Sequence, residues 1–403
     1  MSTVDLRHQF PVLDTWRAVG AVAVLTTHTT FQTGSYLGHG IWGTLLARLD
    51  VGVAIFFVLS GFLLSRPWFA SAALDLPAPA SGRYFLKRLL RVYPVYLVTV
   101  VLALTLVDEN ERTTPATWVS NLLIGDTYVH DRLPHGLTHM WSITVEVSFY
   151  VLLPVLMMLA LGARRPRIHR ARVHVVLLVM VMTAVLWHTV LAERLDPRSN
   201  GAPGLWLPGY LIWFAVGIWL ALVHVDLQRG RSSRVLDRVV RLGALPGTCW
   251  AMAAGLLMVA ATPVAGPVMF VAGTPAQGLA KNLLYACIGA LIVLSGVMAD
   301  SSRGFGKILS IRPLRHLGHI SYSIFCIHLV VLAQVFELTS YDVFSGSGLQ
   351  VWALTLVITL VVSEVLYRVV EDPFMRLAVR RQGRAPSSEA SAQTDERATT
   401  VQS

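Results

Sequence analysis

Charge is scarce in this 403-residue chain. Only 14% of the residues are Asp, Glu, Lys or Arg, against about 25% in a soluble domain. Hydrophobic residues make up 54%, and the mean hydropathy is +0.59. These figures exclude a soluble globular domain and describe a polytopic membrane protein. Cysteine is scarce too. Cys249, Cys287 and Cys326 lie in or beside apolar stretches, with no CxxC pair and no disulfide framework, so they read as packing residues. Lysine is nearly absent, 3 residues against 30 arginines, and with abundant Ala and Val this points to a GC-rich bacterial genome. The N-terminus, MSTVDLRHQF, lacks an apolar h-region and a small-residue cleavage site, so no cleavable signal peptide is expected. Internal repeats are missing. So is any cluster with metal-ligand spacing, and no metal is expected.

What is there is a series of apolar segments. Ten are long and uncharged enough to cross a bilayer, near 12–32, 45–65, 90–108, 141–162, 173–192, 205–225, 246–266, 279–299, 316–338 and 349–370. With the N-terminus in the cytoplasm, the inner loops hold five Lys and Arg (66–91), five (164–172), five (229–241) and four (303–315), and five follow residue 374. The outer loops hold none (33–44), two (109–140), two (193–204), none (267–278) and none (339–348). The positive-inside rule is met at every connection, so the fold expected is an all-α bundle of about ten transmembrane helices with both termini cytoplasmic. The formal charge of +10 then belongs to basic inner loops, and no nucleic acid is expected as a partner. The expected localisation is the bacterial plasma membrane. Residues 1–381 form one membrane domain, and the polar stretch from Gln382 onward, QGRAPSSEASAQTDERATTVQS, reads as a disordered cytoplasmic tail.

This topology assigns a depth to each intramembrane polar residue. In DTWRAVGAVAVLTTHTT, Arg17 and His28 are eleven residues apart, roughly 16 Å along a helix. Asp14 and Arg17 fall near the inner face and His28 in the outer half. Ser60 lies in the inner half of the second segment. Arg88 and Arg91 sit at the inner surface, and their i, i+3 spacing puts them on one helix face. Glu146 lies at about the depth of His28. Ser321 and Tyr322 are shallow, on the inner side, and His328 is near mid-membrane. Ionisable groups at such depths are costly and face a bundle interior or cavity. Two clusters are expected. The inner one, Arg17, Arg88 and Arg91, suits a phosphate-bearing cytosolic ligand, because guanidinium binds phosphate oxygens bidentately. The outer one, His28 and Glu146, suits general-base work on a hydroxyl.

Each residue also has a structural reading. Arg88 and Arg91 fit ordinary positive-inside anchors. His28 fits a packed helix histidine, and Glu146 a solvated rim charge. His328 has no partner assignable from sequence. Glu371, beside Asp372 and Pro373, fits a helix end paired with a basic loop, and Trp141 fits an interfacial anchor.

The motifs resemble the acyltransferase family 3 membrane proteins, which acylate sugars, glycolipids, polysaccharides and macrolides. The matching residues run along almost the whole core: LDTWRAVG with Arg17 and His28; GVAIFFVLSGFLLS; Arg88-x-x-Arg91 followed by Tyr93 and Pro94; WSITVEVSFYVLLP with Trp141, Glu146, Phe149, Tyr150 and Pro154; LGHISYSIFCIHL; and the ending YRVVEDP. The resemblance implies that His28 is the catalytic residue. It implies that Arg88 and Arg91, with Arg17, hold the acyl donor from the cytoplasmic side, and that Glu146 is a further functional position. Some members carry a hydrolase-like domain after the core. None is visible here, and a one-domain enzyme is expected.

The residues and the resemblance lead to one expected mechanism. An acyl-CoA, acetyl-CoA first, is a co-substrate rather than a bound cofactor; its phosphates meet Arg17, Arg88 and Arg91. The acceptor is a hydroxyl of a glycolipid, sugar or macrolide. His28 takes its proton, and Glu146 orients the imidazole. Acyl-histidine formation is an equally open route. Ser60, Ser321 and Tyr322 are candidate donor-site linings, and Asp14, Trp141 and His328 candidate further linings. Two other functions fit the same residues: a transporter or flippase with Arg17, His28 and Glu146 along its path, and an assembly subunit without chemistry.

Overall fold

The computed structural model describes residues 4–6, 8–163, 166–195, 201–268 and 273–383, and it contains no strand among them. Ten helices correspond to the ten expected segments: α1 Pro11–Gln32, α2 Val51–Ala73, α3 Ser81–Leu106, α4 Trp141–Leu161, α5 Arg170–Leu186, α6 Leu207–Gln228, α7 Pro246–Ala260, α8 Pro275–Val297, α9 Ser321–Leu338 and α10 Gly348–Leu366. Among the described residues, eight helical stretches are long and apolar enough to cross a membrane, and a ninth if the bent pair Arg234–Gly243 and α7 counts as one span. The fold is therefore an all-helical membrane bundle. The first helix is not among those stretches. It has 22 residues, about 33 Å of rise, but it carries Asp14, Arg17 and His28. Twelve of its 22 residues are buried against neighbouring elements, and Asp14, Arg17 and His28 are half-buried.

Several expected boundaries move, each for a local reason. The second helix runs on to Ala73, past Arg66, because that arginine is buried and bonded to His224 Nδ1 at 3.3 Å. The third begins nine residues early, at Ser81, so Arg88 and Arg91 stand inside a helix rather than at its first turn. The seventh has only 15 residues. It meets Arg234–Gly243 at 89° and stops where the Arg48 side chain takes its last carbonyl and one from the loop that follows, with Nε on Ala260 O at 2.9 Å and Nη2 on Gly266 O at 2.5 Å. A buried cation there offsets the negative end of the helix. The ninth begins at Ser321, because Arg312–His319 is a separate amphipathic helix. The tenth does not end at Glu371. A π-turn, Tyr367–Glu371, leads into α11, Asp372–Gly383. The expected tail from residue 382 thus opens inside a helix, and residues 384–403 lie outside the described residues.

The second helix is the hub. It packs against α6 most extensively, and α1, α4 and α8 surround it. Gly61 and Gly217 let α2 and α6 touch backbone to backbone. A Cβ on Gly61 would lie 2.4 Å from Phe214 O, and one on Gly217 would lie 2.2 Å from Val58 O. Small residues at crossing points are the usual device of membrane helices, which gain no hydrophobic drive against lipid and rely on close packing.

Candidate active site

Three arginines from two helices meet in one cavity. Arg17 comes from α1, and Arg88 and Arg91 from α3. Ser60 of α2, Glu146 and Tyr150 of α4, and Tyr322 and Phe325 of α9 complete its lining. Among the described residues, no carboxylate forms an ion pair with any of the three guanidinium groups, although Asp and Glu elsewhere do pair with arginines. Arg88 Nε is buried without a hydrogen-bond partner, and its guanidinium lies 5.9 Å from the centre of the Tyr150 ring. Two carboxylates stand near. One Glu371 oxygen accepts from Ser323 Oγ at 2.8 Å, and the other is buried with no partner. Three cations against two acids leave a positive excess in a low-dielectric site. That excess is costly until an anion enters.

Glu146 belongs to this arginine cavity. Its Oε1 accepts from Ser60 Oγ and from Tyr150 OH, both at 2.6 Å. The expected pairing of Glu146 with His28 is not what the structure brings together. Depth along α4 is readable from the sequence, but the side of the helix that faces α1 is not. Residues Ser142, Ile143, Glu146 and Tyr150, at helical spacing, all turn toward the cavity.

His28 has a different partner, His328. The two rings meet at His28 Nδ1 and His328 Nε2, 3.1 Å apart. His328 Nδ1 in turn lies 2.7 Å from Phe325 O. A carbonyl can only accept, so His328 carries its proton on Nδ1. Neutral His328 then accepts at Nε2, and His28 donates from Nδ1. Neutral His28 is left with a bare lone pair on Nε2, the form a general base requires. A third histidine, His139, packs its ring 4.6 Å from that of His328 and 6.0 Å from that of His28. Its Nε2 donates to Cys326 O at 3.1 Å. Asp50 is held by Lys281 Nζ at 2.6 Å and by the Tyr285 hydroxyl.

Phe325 links the two groups. Its ring lines the arginine cavity and also packs 5.1 Å from His139 and 6.0 Å from His328. Phe56, 5.8 Å from it, closes the same wall.

The remaining expected residues separate. Tyr322 lines the cavity, but its hydroxyl donates to Val92 O at 2.8 Å. Ser321 does not line it; its hydroxyl donates to Gly318 O within its own turn. Asp14 faces Arg315 at 3.5 Å and His319 at 3.6 Å, clamping α1 to Arg312–His319. Trp141 lines a second cavity at the other end of the bundle, with its ring 4.8 Å from that of Tyr210. Among the described residues, no group of three or more His, Cys, Asp or Glu could hold a metal ion. His139 and Asp50 went unread in the sequence. His139 lies on a short turn, Thr138–Met140, two residues before Trp141, and only that adjacency could have marked it.

Known proteins bear on this geometry. The chain is 23% identical over 385 residues to O-acetyltransferase OatA of Staphylococcus aureus, covering 91% of this chain and 57% of that protein. It is 26% identical over 390 residues to the putative peptidoglycan O-acetyltransferase YrhL of Bacillus subtilis, covering 93% and 55%. It is 25% identical over 395 residues to acyltransferase MdmB of Streptomyces mycarofaciens, covering 93% of both chains. The chain thus spans little more than half the length of the first two. No solved structure matches it. The profile of the acyltransferase domain family matches residues 10–368, from the residue before α1 to the π-turn after α10, and the chain belongs to that family.

Proposed function

We propose that this chain is an integral membrane O-acyltransferase. It moves a short acyl group, acetyl first, from cytoplasmic acyl-CoA to a hydroxyl of a cell-envelope glycolipid or sugar. The relatives named as O-acetyltransferases and as an acyltransferase support the reaction class. One observation carries the reading: three arginines without acidic partners share a cavity whose Phe325 wall packs against the histidines that hold His28.

In this reading the phosphates of the donor offset the positive excess at Arg17, Arg88 and Arg91. The acyl thioester extends toward Phe56 and Phe325. His28 Nε2 takes the proton of the acceptor hydroxyl as its oxygen bonds to the thioester carbonyl carbon. The carbon–sulfur bond then breaks, and coenzyme A leaves as the thiol with the proton from the imidazolium. The His328 contact keeps His28 Nδ1 protonated throughout, the role a carboxylate has in a Ser-His-Asp triad. Glu146 limits the positive charge of the donor site and fixes Ser60 and Tyr150 in its wall.

The 89° break before α7 and the π-turns after α5 and α10 favour a transporter as the second reading. Purified protein in nanodiscs, given acetyl-CoA, separates the two. An acyltransferase binds it and slowly hydrolyses the thioester. His28→Ala is expected to bind but not turn over, and Arg88→Ala/Arg91→Ala to lose binding. Wild type that neither binds nor hydrolyses a short acyl-CoA would leave the transporter reading.

A further inference from the structure

One basic helix takes no part in the acyl-transfer site. Arg234–Gly243, RVLDRVVRLG, follows α6 and turns into α7 at 89°. Ser233 caps it, its hydroxyl accepting from Leu236 N at 3.2 Å. Arg234, Arg238 and Arg241 recur at i, i+4 and i+7 and so share one face, and all three are exposed. Leu236 and Gly243 on the opposite face are buried. Between the two faces, Val235 is 57% exposed and Val240 36%.

The buried face fixes where the helix sits. A Cβ on Gly243 would lie 2.6 Å from Met298 Cγ and 3.2 Å from Leu294 Cδ1, so the helix seats on the end of α8. A Cβ on Gly296 would in turn lie 2.6 Å from Leu13 Cδ2. This end of α8 is therefore beside the start of α1, the end that carries Arg17 and that loop charge assigns to the cytoplasm. The 15 residues of α7 rise about 22 Å, against a hydrocarbon core of about 30 Å. A span that short draws the helix before it up to the level where acyl chains meet headgroups.

We infer that Arg234–Gly243 lies along the inner surface of the bilayer and binds anionic phospholipid headgroups, whose phosphates meet Arg234, Arg238 and Arg241. Among the described residues, none of these arginines forms an ion pair, although arginines elsewhere do. Asp237, the one acid on the helix, accepts from Ser232 Oγ at 3.3 Å instead. The three guanidinium groups point away from the bundle, and the two exposed valines beside them suit acyl chains. Basic and apolar groups side by side fit a phosphate that carries lipid chains, rather than a free phosphate. Neither the arginine cavity nor the histidines enter into this contact, so it holds whichever function the bundle has.

The full chain, purified in dodecyl maltoside, is titrated with dioleoylphosphatidylglycerol or dioleoylphosphatidylcholine. Native mass spectrometry counts the lipid retained, and Tm is followed in parallel. Wild type should bind the phosphatidylglycerol at least about tenfold more tightly, with a preference that shrinks as salt rises. Arg234→Gln/Arg238→Gln/Arg241→Gln should lower that affinity about tenfold or more and leave phosphatidylcholine binding unchanged. The triple lysine variant at the same positions keeps the charge and should keep most of the affinity. Arg303→Gln/Lys307→Gln/Arg312→Gln removes as much exposed charge from the segment that follows α8 and should change little. Equal binding of the two lipids in wild type would overturn the inference, and so would an equal loss in the control triple. A lysine triple that fails like the glutamine triple would overturn it too, by showing loss of the helix rather than of charge. Sodium phosphate that raises Tm as far as phosphatidylglycerol does would replace the lipid with a free phosphate.

Discussion

His28 Nδ1 and His328 Nε2 lie 3.1 Å apart, and that contact decides which nitrogen of His28 is free. His328 is fully buried and fixed by the carbonyl of Phe325, so it acts as a neutral acceptor rather than a second base. His328→Ala is expected to lower kcat about 10- to 100-fold, the usual effect of removing a group that orients a functional imidazole, with the acetyl-CoA KM unchanged. His328→Gln, which keeps an acceptor oxygen near the same place, should recover most of the rate. Equal loss in both variants, or a loss in KM instead, would show that His328 only fills space.

The arginine cavity makes a prediction about charge. Hydrogen bonds to ionised groups contribute about 1.5–3 kcal/mol each. Arg88→Ala/Arg91→Ala should therefore weaken acetyl-CoA binding at least about 100-fold, measured by calorimetry in nanodiscs. Lysine at both positions should restore only part of it, because an ammonium lacks the bidentate fork. Arg17→Ala should weaken binding in the same direction, since its guanidinium lines the same space from α1.

Glu146 separates two accounts of the site. Its carboxylate is bonded to Ser60 and Tyr150 and sits among cations. Glu146→Gln removes a negative charge from the donor cavity, so acetyl-CoA should bind as tightly as before or more tightly, and the pH profile of kcat should not move. If Glu146 oriented His28 instead, the same variant would lower kcat by orders of magnitude, as loss of a triad carboxylate does, and shift the profile. Steady-state kinetics across pH reads the difference.

What the sequence made legible was depth. Segment length and loop charge placed Arg17, Arg88, Arg91 and His28 along the membrane normal, and the cavity gathers those three arginines at one end. What stayed hidden was direction around each helix axis. One side chain's facing depends on packing contacts hundreds of residues away, such as His28 with His328. Hence Glu146 faces the arginine cluster rather than His28, and Asp14 clamps α1 to Arg312–His319 rather than lining the cavity. Helix starts were hidden for a related reason. The first turns of α3 are polar and half-exposed, so hydropathy alone began the segment nine residues too late.

The last prediction concerns the scaffold that sets this spacing. Val53, Phe57 and Ser60 of α2 border the cavities, so the depth at which α2 meets α6 positions both. That depth is set at Gly61 and Gly217, where an added Cβ would overlap backbone oxygen. Backbone cannot swing aside as a side-chain tip can, so Gly217→Ala must push the two helices apart. Overpacking a tight core costs about 1–3 kcal/mol or more, and a clear drop in Tm in nanodiscs is expected. Gly255→Ala on α7 is the matched control, because nothing lies within 4 Å of the added atom. It should leave Tm unchanged or slightly raised, alanine being the better helix former. A Gly217→Ala protein as stable as the control would mean that α2 and α6 are not held at that contact, and the shared wall at Val53 would lose its support.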